Sequence, residues 1–264
     1  MDSLQAIILA LLQGLTEFLP ISSSGHLILP SALFGWPDQG LAFDVAVHVG
    51  SLLAIVWFFR KDIGAIASGS IESLQNRQWN SESQTLLFLF VATVPAGLAA
   101  LAFNDFIERE LRSPLVIATT TLCFGLLLAV ADKLGTREKS LIKMTLWAAF
   151  IIGCAQAIAL IPGTSRSGIT MTAALLLGFQ RDAAARFSFL MSIPIIVLSG
   201  GYKGLELVSQ SAPQWDLIAI GVLVSALSAY ACVYWFMAVI ERMGMLPFVL
   251  YRIVLAAILF ALFV

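Results

Sequence analysis

Apolar runs of membrane-crossing length alternate with short polar stretches along the whole chain, and two of the runs are interrupted in the middle. Unbroken runs cover 41–59, 86–103, 115–131, 183–199, 217–239 and 246–264, each close to the roughly 20 residues that a helix needs to cross a bilayer. They predict six transmembrane helices. The first interrupted run is 4–12 with 27–33, split by Gln13-Gly-Leu-Thr-Glu17-Phe-Leu-Pro-Ile-Ser-Ser-Ser-Gly-His26; the second is 146–161 with 169–179, split by Pro162-Gly-Thr-Ser-Arg-Ser-Gly168. A carboxylate, a guanidinium, an imidazole, prolines and a row of hydroxyls have no place in an ordinary span. The connections are a turn at 35–40, a segment at 104–114, a basic segment at 133–143, and 60–83, the longest and most polar, read as a loop with room for an interfacial helix.

The two interrupted runs look like copies. A shift of 143 residues sets Gln13 on Gln156, Phe18 on Ile161, Ser24 on Ser167 and Gly25 on Gly168, while Pro20 and Pro162 miss by one. Each interruption leads to a half-length apolar run, a polar turn and a full crossing. The chain therefore reads as one membrane domain, 1–264, holding pseudo-repeats over about 1–132 and 144–264.

Composition agrees. With 59% hydrophobic and 12% charged residues, the chain has far too little polar surface for a soluble domain, where about 25% is charged. The N-terminal stretch has Asp2 and no Lys or Arg before Arg60, so it lacks the basic start of a cleaved signal peptide. A net charge of -1 argues against a nucleic-acid partner. Cys123, Cys154 and Cys232 stand far apart inside apolar runs, without metal-ligand spacing, and read as packed small hydrophobes. Trp36, Trp57, Trp79 and Trp215 fall near expected interfaces, as belt anchors do.

Charge decides how the interrupted runs sit. If both dip in and return, one face collects Arg60, Lys61, Arg77, Lys133, Arg137, Lys139, Lys143, Arg181, Arg186 and Arg242, against Arg109, Arg112 and Lys203, a ten-to-three split; if both span, the split falls to eight to five. Basic residues gather on the cytoplasmic side, so the re-entrant arrangement is preferred. The fold expected is an all-α integral membrane protein with six transmembrane helices, two re-entrant broken helices and an inverted-topology repeat. Its termini lie outside, and its two polar tips approach each other from opposite faces. Unwound backbone at that depth must be covered by protein or line a wet cavity.

Glu17 and Arg166 stand at the two tips, where an ionisable group costs at least about 2.5–3.5 kcal/mol. A structural ion pair between the halves is one reading. Their neighbours favour another: Ser22, Ser23, Ser24, Gly25 and His26 on one tip, and Gly163, Thr164, Ser165, Ser167, Gly168 and Thr170 on the other, suit an anion. Hydroxyl and glycine residues opening a half-helix offer N–H groups and a positive dipole end to phosphate, and Arg166 adds a planar fork. Gln13 and Glu17, four apart on one helical face, offer oxygens to Mg²⁺ or Ca²⁺; an interhelical hydrogen bond is the plainer role for Gln13. His26 suits a proton donor, acceptor or nucleophile. Asp44 and His48 form another i, i+4 pair, either a buried hydrogen bond or support for the site. Arg252, inside the last crossing, is expected to snorkel or to neutralise an acid.

The two interruptions, Gln13 to His26 and Pro162 to Thr170, resemble the motifs of bacterial undecaprenyl-pyrophosphate phosphatases, also called bacitracin-resistance proteins, over essentially the whole chain. The resemblance implies hydrolysis of a polyprenyl pyrophosphate to the monophosphate and inorganic phosphate, which recycles the lipid carrier of cell-wall synthesis, with a divalent cation, Mg²⁺ or Ca²⁺, as cofactor. It implies Glu17, Ser23, His26 and Arg166 as catalytic groups: Gln13 and Glu17 at the metal or in acid–base work, Ser23 and His26 as nucleophile and proton partner, Ser165 and Arg166 on the pyrophosphate. Ser22, Ser24, Gly163, Thr164, Ser167 and Thr170 complete the expected phosphate site. Gln13 stands where other members carry a glutamate, so as a ligand it brings no charge, and His48 stands where an amide is expected. The location implied is the bacterial inner membrane, with the site opening to the periplasm. Expected partners are the polyprenyl pyrophosphate and membrane lipid, and no nucleic acid; a homodimer is left open.

A transporter or flippase for a phosphate-bearing lipid or small anion is the rival reading, since inverted repeats with broken helices are transporter architecture. A scaffold does not account for ionisable groups at both tips. The topology has a direct check: a reporter fused after Lys139 is expected to read cytoplasmic and one after Pro213 external, and a reversed pair would place the first tip on the wrong face.

Overall fold

The structure, a computed structural model, describes residues 1–36, 40–207 and 214–263. The middle of the 35–40 turn, the 208–213 segment with Pro213, and the side chain of Lys203 lie outside the described residues. The helices are α1 Ser3–Thr16, α2 Ser23–Phe34, α3 Gly40–Phe58, α4 Arg60–Asn76, α5 Ser81–Glu110, α6 Pro114–Leu134, α7 Leu146–Ile158, α8 Arg166–Leu176, α9 Arg181–Leu207, α10 Trp215–Met243 and α11 Leu246–Phe263.

Helices α5, α6, α9, α10 and α11 are each long and apolar enough to cross a membrane, and Ala42–Phe58 of α3 adds a sixth span before a 72° bend into α4. These are the six crossings expected. One connection takes the form left open for it and one differs from expectation. Residues 60–76, within the stretch read as a loop with room for an interfacial helix, form α4, which ends where Arg77 adopts the left-handed conformation at φ 52°. Residues 104–110, read as part of a connection, continue α5 for a total of 30 residues, because neither Gly nor Pro occurs between Leu98 and Ser113 to stop it.

Helices α1 and α7 have 14 and 13 residues, so at 1.5 Å per residue each reaches only ~20 Å, short of the ~30 Å hydrocarbon core. Pro20 and Pro162 follow soon after and withhold the N–H that continued winding requires. Helix α2 then packs back on α1, and α8 on α7, as re-entrant hairpins do. Both turns use the same backbone device. Ser22 (φ 76°, ψ 98°) immediately precedes α2, and Ser165 (φ 68°, ψ 112°) immediately precedes α8. They are 143 positions apart, the offset that aligns the two interruptions, and they are two of only four non-glycine residues with positive φ among those described.

The halves are interleaved. Helix α1 lies along α10 and α7 along α5, while α3 meets α9 and α6 meets α11. Small residues allow the close approaches. A Cβ on Gly14 would sit 2.6 Å from the Ser225 carbonyl oxygen, and one on Gly153 would sit 2.6 Å from that of Ala92, the backbone-to-backbone contact that glycine permits between helices in lipid. Phe18, fully buried below the first tip, meets Phe189 edge-on at 5.5 Å, and Phe59 and Phe236 extend this aromatic core. Around the start of α9, Arg181 grips Asp132 through two hydrogen bonds of 2.7 and 3.0 Å, and Arg186 pairs with Asp62 of α4. Cys232 is buried as expected, whereas Cys123 and Cys154 are exposed.

Candidate active site

The short helices deliver both polar tips to one place. Glu17 immediately follows α1 and Arg166 opens α8; their side chains meet at 3.0 Å, Arg166 Nη2 to Glu17 Oε1, although 149 residues separate them. Three further groups converge on the other carboxylate oxygen. Gln13 Nε2 donates to Glu17 Oε2 at 3.0 Å, the Ser23 hydroxyl donates to it at 3.1 Å, and His48 Nε2 lies 4.0 Å away. Gln13 can do so because it sits one helical turn before Glu17, and His48 because α3 runs past the tip with Nδ1 held at 2.7 Å by the Asp44 carbonyl. The Glu17 side chain is only 9% exposed, whereas that of His48, at 37%, is the opening of the cluster to its surroundings.

Three buried polar atoms here have no hydrogen-bond partner among the described residues: Gln13 Oε1, Arg166 Nη1 and Thr164 Oγ1. Buried polar groups are otherwise almost always satisfied. An acceptor and a guanidinium donor both left over on residues bonded to Glu17 leave capacity for a ligand rich in oxygen and negative charge, with or without a cation.

The remaining hydroxyls mainly hold the tips in shape. Ser24 Oγ accepts the Gly163 N–H at 3.0 Å, and Ser167 Oγ donates to the Leu19 carbonyl at 2.9 Å, so the aligned serines each reach across to the opposite tip. Ser22 bonds Ser24 at 3.1 Å; Ser165 caps the Gly168 N–H at 3.2 Å and lies 3.3 Å from Ser167. Thr170, fully buried, donates to the Arg166 carbonyl and meets Ser188 at 2.7 Å, which places it behind the tip rather than in it.

His26 takes a different direction from the one expected. Its Nδ1 lies 2.7 Å from the Ser22 carbonyl and its Nε2 2.7 Å from the Tyr251 hydroxyl, with the two rings stacked at 5.4 Å. No hydrogen bond joins His26 to Ser23 among the described residues. Arg252 also departs from expectation, for it does not snorkel and, among the described residues, meets no acid. Fully buried, it donates to the carbonyls of Thr121 (2.9 Å), Thr164 and Gly163 (3.0 Å each), Pro20 and Thr120 (3.4 Å each), touching both tips and α6 at once. Gly125 and Gly168 make the room, since a Cβ on either would come within 3.1 Å of the Arg252 side chain. Tyr251 was missed from sequence. The signal was available, because Tyr251-Arg252 is the one polar pair inside the apolar stretch 246–264.

Comparison with known proteins follows the same lines. The family described as "Bacitracin resistance protein BacA" matches residues 6–258. A Saccharophagus degradans protein named undecaprenyl-diphosphatase is 61% identical, covering 99% of this chain and 98% of its own length. Proteins of the same name from Teredinibacter turnerae (58% identical, 98% of this chain and 99% of that one) and Alcanivorax borkumensis (55%, 98% of each) are similarly close.

Arg252→Met is expected to lower stability by about 3 kcal/mol or more, since carbonyls at both tips lose their buried donor. Arg252→Lys should recover only part of it, because one ammonium cannot reach carbonyls fanned around a planar fork. Melting of the purified protein in detergent checks this; an unchanged melting temperature in both variants would dissolve the clamp.

Proposed function

This chain belongs to the BacA family of bacitracin resistance proteins, and from that membership we propose how its interleaved tips carry out the reaction. The protein is an undecaprenyl-diphosphatase. It hydrolyses undecaprenyl pyrophosphate to undecaprenyl phosphate and inorganic phosphate, recycling the lipid carrier of peptidoglycan synthesis. The observation that carries the reading of the site is the meeting of Glu17, Ser23 and Arg166, with Arg166 Nη1 and Gln13 Oε1 buried and unpartnered beside them.

Ser23 is the nucleophile in this reading. Its hydroxyl already donates to Glu17 Oε2, so Glu17 takes the proton as Oγ attacks the terminal phosphorus; the bond from that phosphorus to the bridging oxygen breaks, and undecaprenyl phosphate leaves with the electron pair. Water then cleaves the phosphoserine, returning the proton to Ser23 and releasing inorganic phosphate. Arg166 trades Glu17 for phosphate oxygens through its fork, giving the charge stabilisation on which phosphoryl transfer chiefly depends. His26 is better placed to position than to take the proton, because both its nitrogens are engaged, one on the backbone of Ser22 directly before Ser23.

A divalent cation fits this site as a guest of the substrate. Glu17 and Gln13 Oε1 offer oxygens suited to Mg²⁺ or Ca²⁺, but no group of three or more His, Cys, Asp or Glu surrounds them among the described residues, so pyrophosphate and water would supply the rest. Bound there, it would neutralise charge on the phosphoryl oxygens. The site opens to the periplasmic side of the inner membrane in this reading, supported by the concentration of basic residues on the opposite face. A membrane-depth location lets the prenyl tail remain in lipid while the head is cut, with no need for transport.

Purified protein in detergent is expected to release phosphate from undecaprenyl pyrophosphate, to lose this on chelation and to regain it with Mg²⁺ or Ca²⁺. Ser23→Ala should reduce release by at least about 10³-fold, as loss of a covalent nucleophile does, while leaving melting unchanged. Normal turnover in that variant would remove Ser23 as nucleophile.

A further inference from the structure

Away from the tips, α4 folds back along the first half of α5, and the seam between them is not closed. Its outer part is a cavity of roughly 630 Å³ whose lining includes Ser70, Ser73, Arg77, Gln78, Trp79 and Ser83. Its inner part is a cavity of roughly 650 Å³ between α4, α5 and α9, lined by apolar groups such as Leu89, Val94, Leu190, Ile193 and Val197. Leu86 and Phe90 line both cavities, so the two adjoin along the seam.

The polar end carries unspent chemistry. Ser70 and Ser83 are 8% and 9% exposed, and neither hydroxyl has a hydrogen-bond partner among the described residues. An unmade hydrogen bond at a buried hydroxyl costs about 1–3 kcal/mol, and two on the lining of one cavity point to a ligand that satisfies them. Arg77 at the rim is exposed and has no ion pair among the described residues. Ser83 lies in the first turn of α5, capped by Asn80, where the helix dipole favours negative charge. The adjacent carboxylate, Glu82, is engaged by the Ser81 hydroxyl at 2.9 Å. Trp79 stands 71% exposed at the same end, as an interfacial anchor does.

A head-sized polar end that attracts an anion, joined to an apolar trough running deeper along a spanning helix, has the form of one lipid. We infer that this seam binds an anionic phospholipid of the surrounding leaflet, its phosphodiester accepting hydrogen bonds from Ser70 and Ser83 and facing Arg77, and an acyl chain lying between α5 and α9. Arg77 is the one charged group among the described residues that line this cavity, and basic residues set between helices at the membrane surface recognise anionic headgroups. The seam involves none of the residues assigned to hydrolysis, so the inference stands apart from the proposed mechanism.

The test is native mass spectrometry of the full chain in detergent, titrated with phosphatidylglycerol, with phosphatidylcholine of the same acyl chains, and with undecaprenyl phosphate. Phosphatidylglycerol is expected to bind with clear preference over phosphatidylcholine. Arg77→Gln, and Ser70→Ala with Ser83→Ala, should each weaken it about tenfold, the value of one charge-assisted hydrogen bond, without changing phosphate release. Removing hydroxyls that have no partner does not unfold the seam, and unchanged melting temperatures verify that. Equal binding of the two phospholipids, or variants that bind phosphatidylglycerol as the parent does, would overturn the inference. So would undecaprenyl phosphate displacing phosphatidylglycerol from the seam, which would make it a site for the product lipid.

Discussion

Everything in this fold turns on one contact between two chain segments that approach from opposite directions, the 3.0 Å pair of Glu17 and Arg166. Neither charge is tolerable alone at membrane depth, so each tip needs the other. Interleaving makes the contact obligatory. With α1 seated on α10 and α7 on α5, each half holds the other half's broken helix, and neither tip can withdraw without unpacking a span of its partner repeat. The pair is also incompletely satisfied, since Arg166 and Gln13 each keep one buried polar atom without a partner among the described residues, which is the observation on which the proposed site rests.

Holding two unwound tips at depth requires their freed carbonyls to be satisfied within the protein. Arg252 does this by spending its guanidinium on backbone carbonyls from Pro20, Gly163, Thr164, Thr120 and Thr121. Its neighbour Tyr251 faces the first tip and receives His26. One turn of α11 therefore supports both tips, although among the described residues neither Tyr251 nor Arg252 bonds Glu17, Ser23 or the Arg166 side chain. Ser22 and Ser165 add the sharp turns, in a backbone conformation that non-glycine residues adopt only where tertiary contacts impose it.

Much of this was legible in the sequence because it was loud in composition. Six apolar runs, two polar interruptions and a polarised charge distribution led to the spans, the re-entrant tips and the meeting of Glu17 with Arg166. What stayed hidden depended on which helix abuts which. His26 was expected as the proton partner of Ser23 from the family resemblance, yet its ring faces Tyr251 of α11, and no periodicity in 13–26 says so. Arg252 looked like a charge in search of an acid, and only the folded tips reveal a nest of carbonyls. Helix α4 was foreseen only as room for an interfacial helix within a polar connection: Ile63, Ile66, Ile71 and Leu74 repeat at helical spacing, but the polar residues between them hide its extent.

The central claim is that the two tips act as one catalytic unit, and a double-mutant cycle on Glu17→Gln and Arg166→Gln measures it most directly. Phosphate release from undecaprenyl pyrophosphate would be followed under single-turnover conditions for the parent, both single variants and the double variant. Residues that act as a unit are strongly non-additive, so the double variant is predicted to be no slower than the slower single variant. Losses that multiply, with the double variant slower by the product of the two single effects, would mean that Glu17 and Arg166 work independently, and would contradict the account.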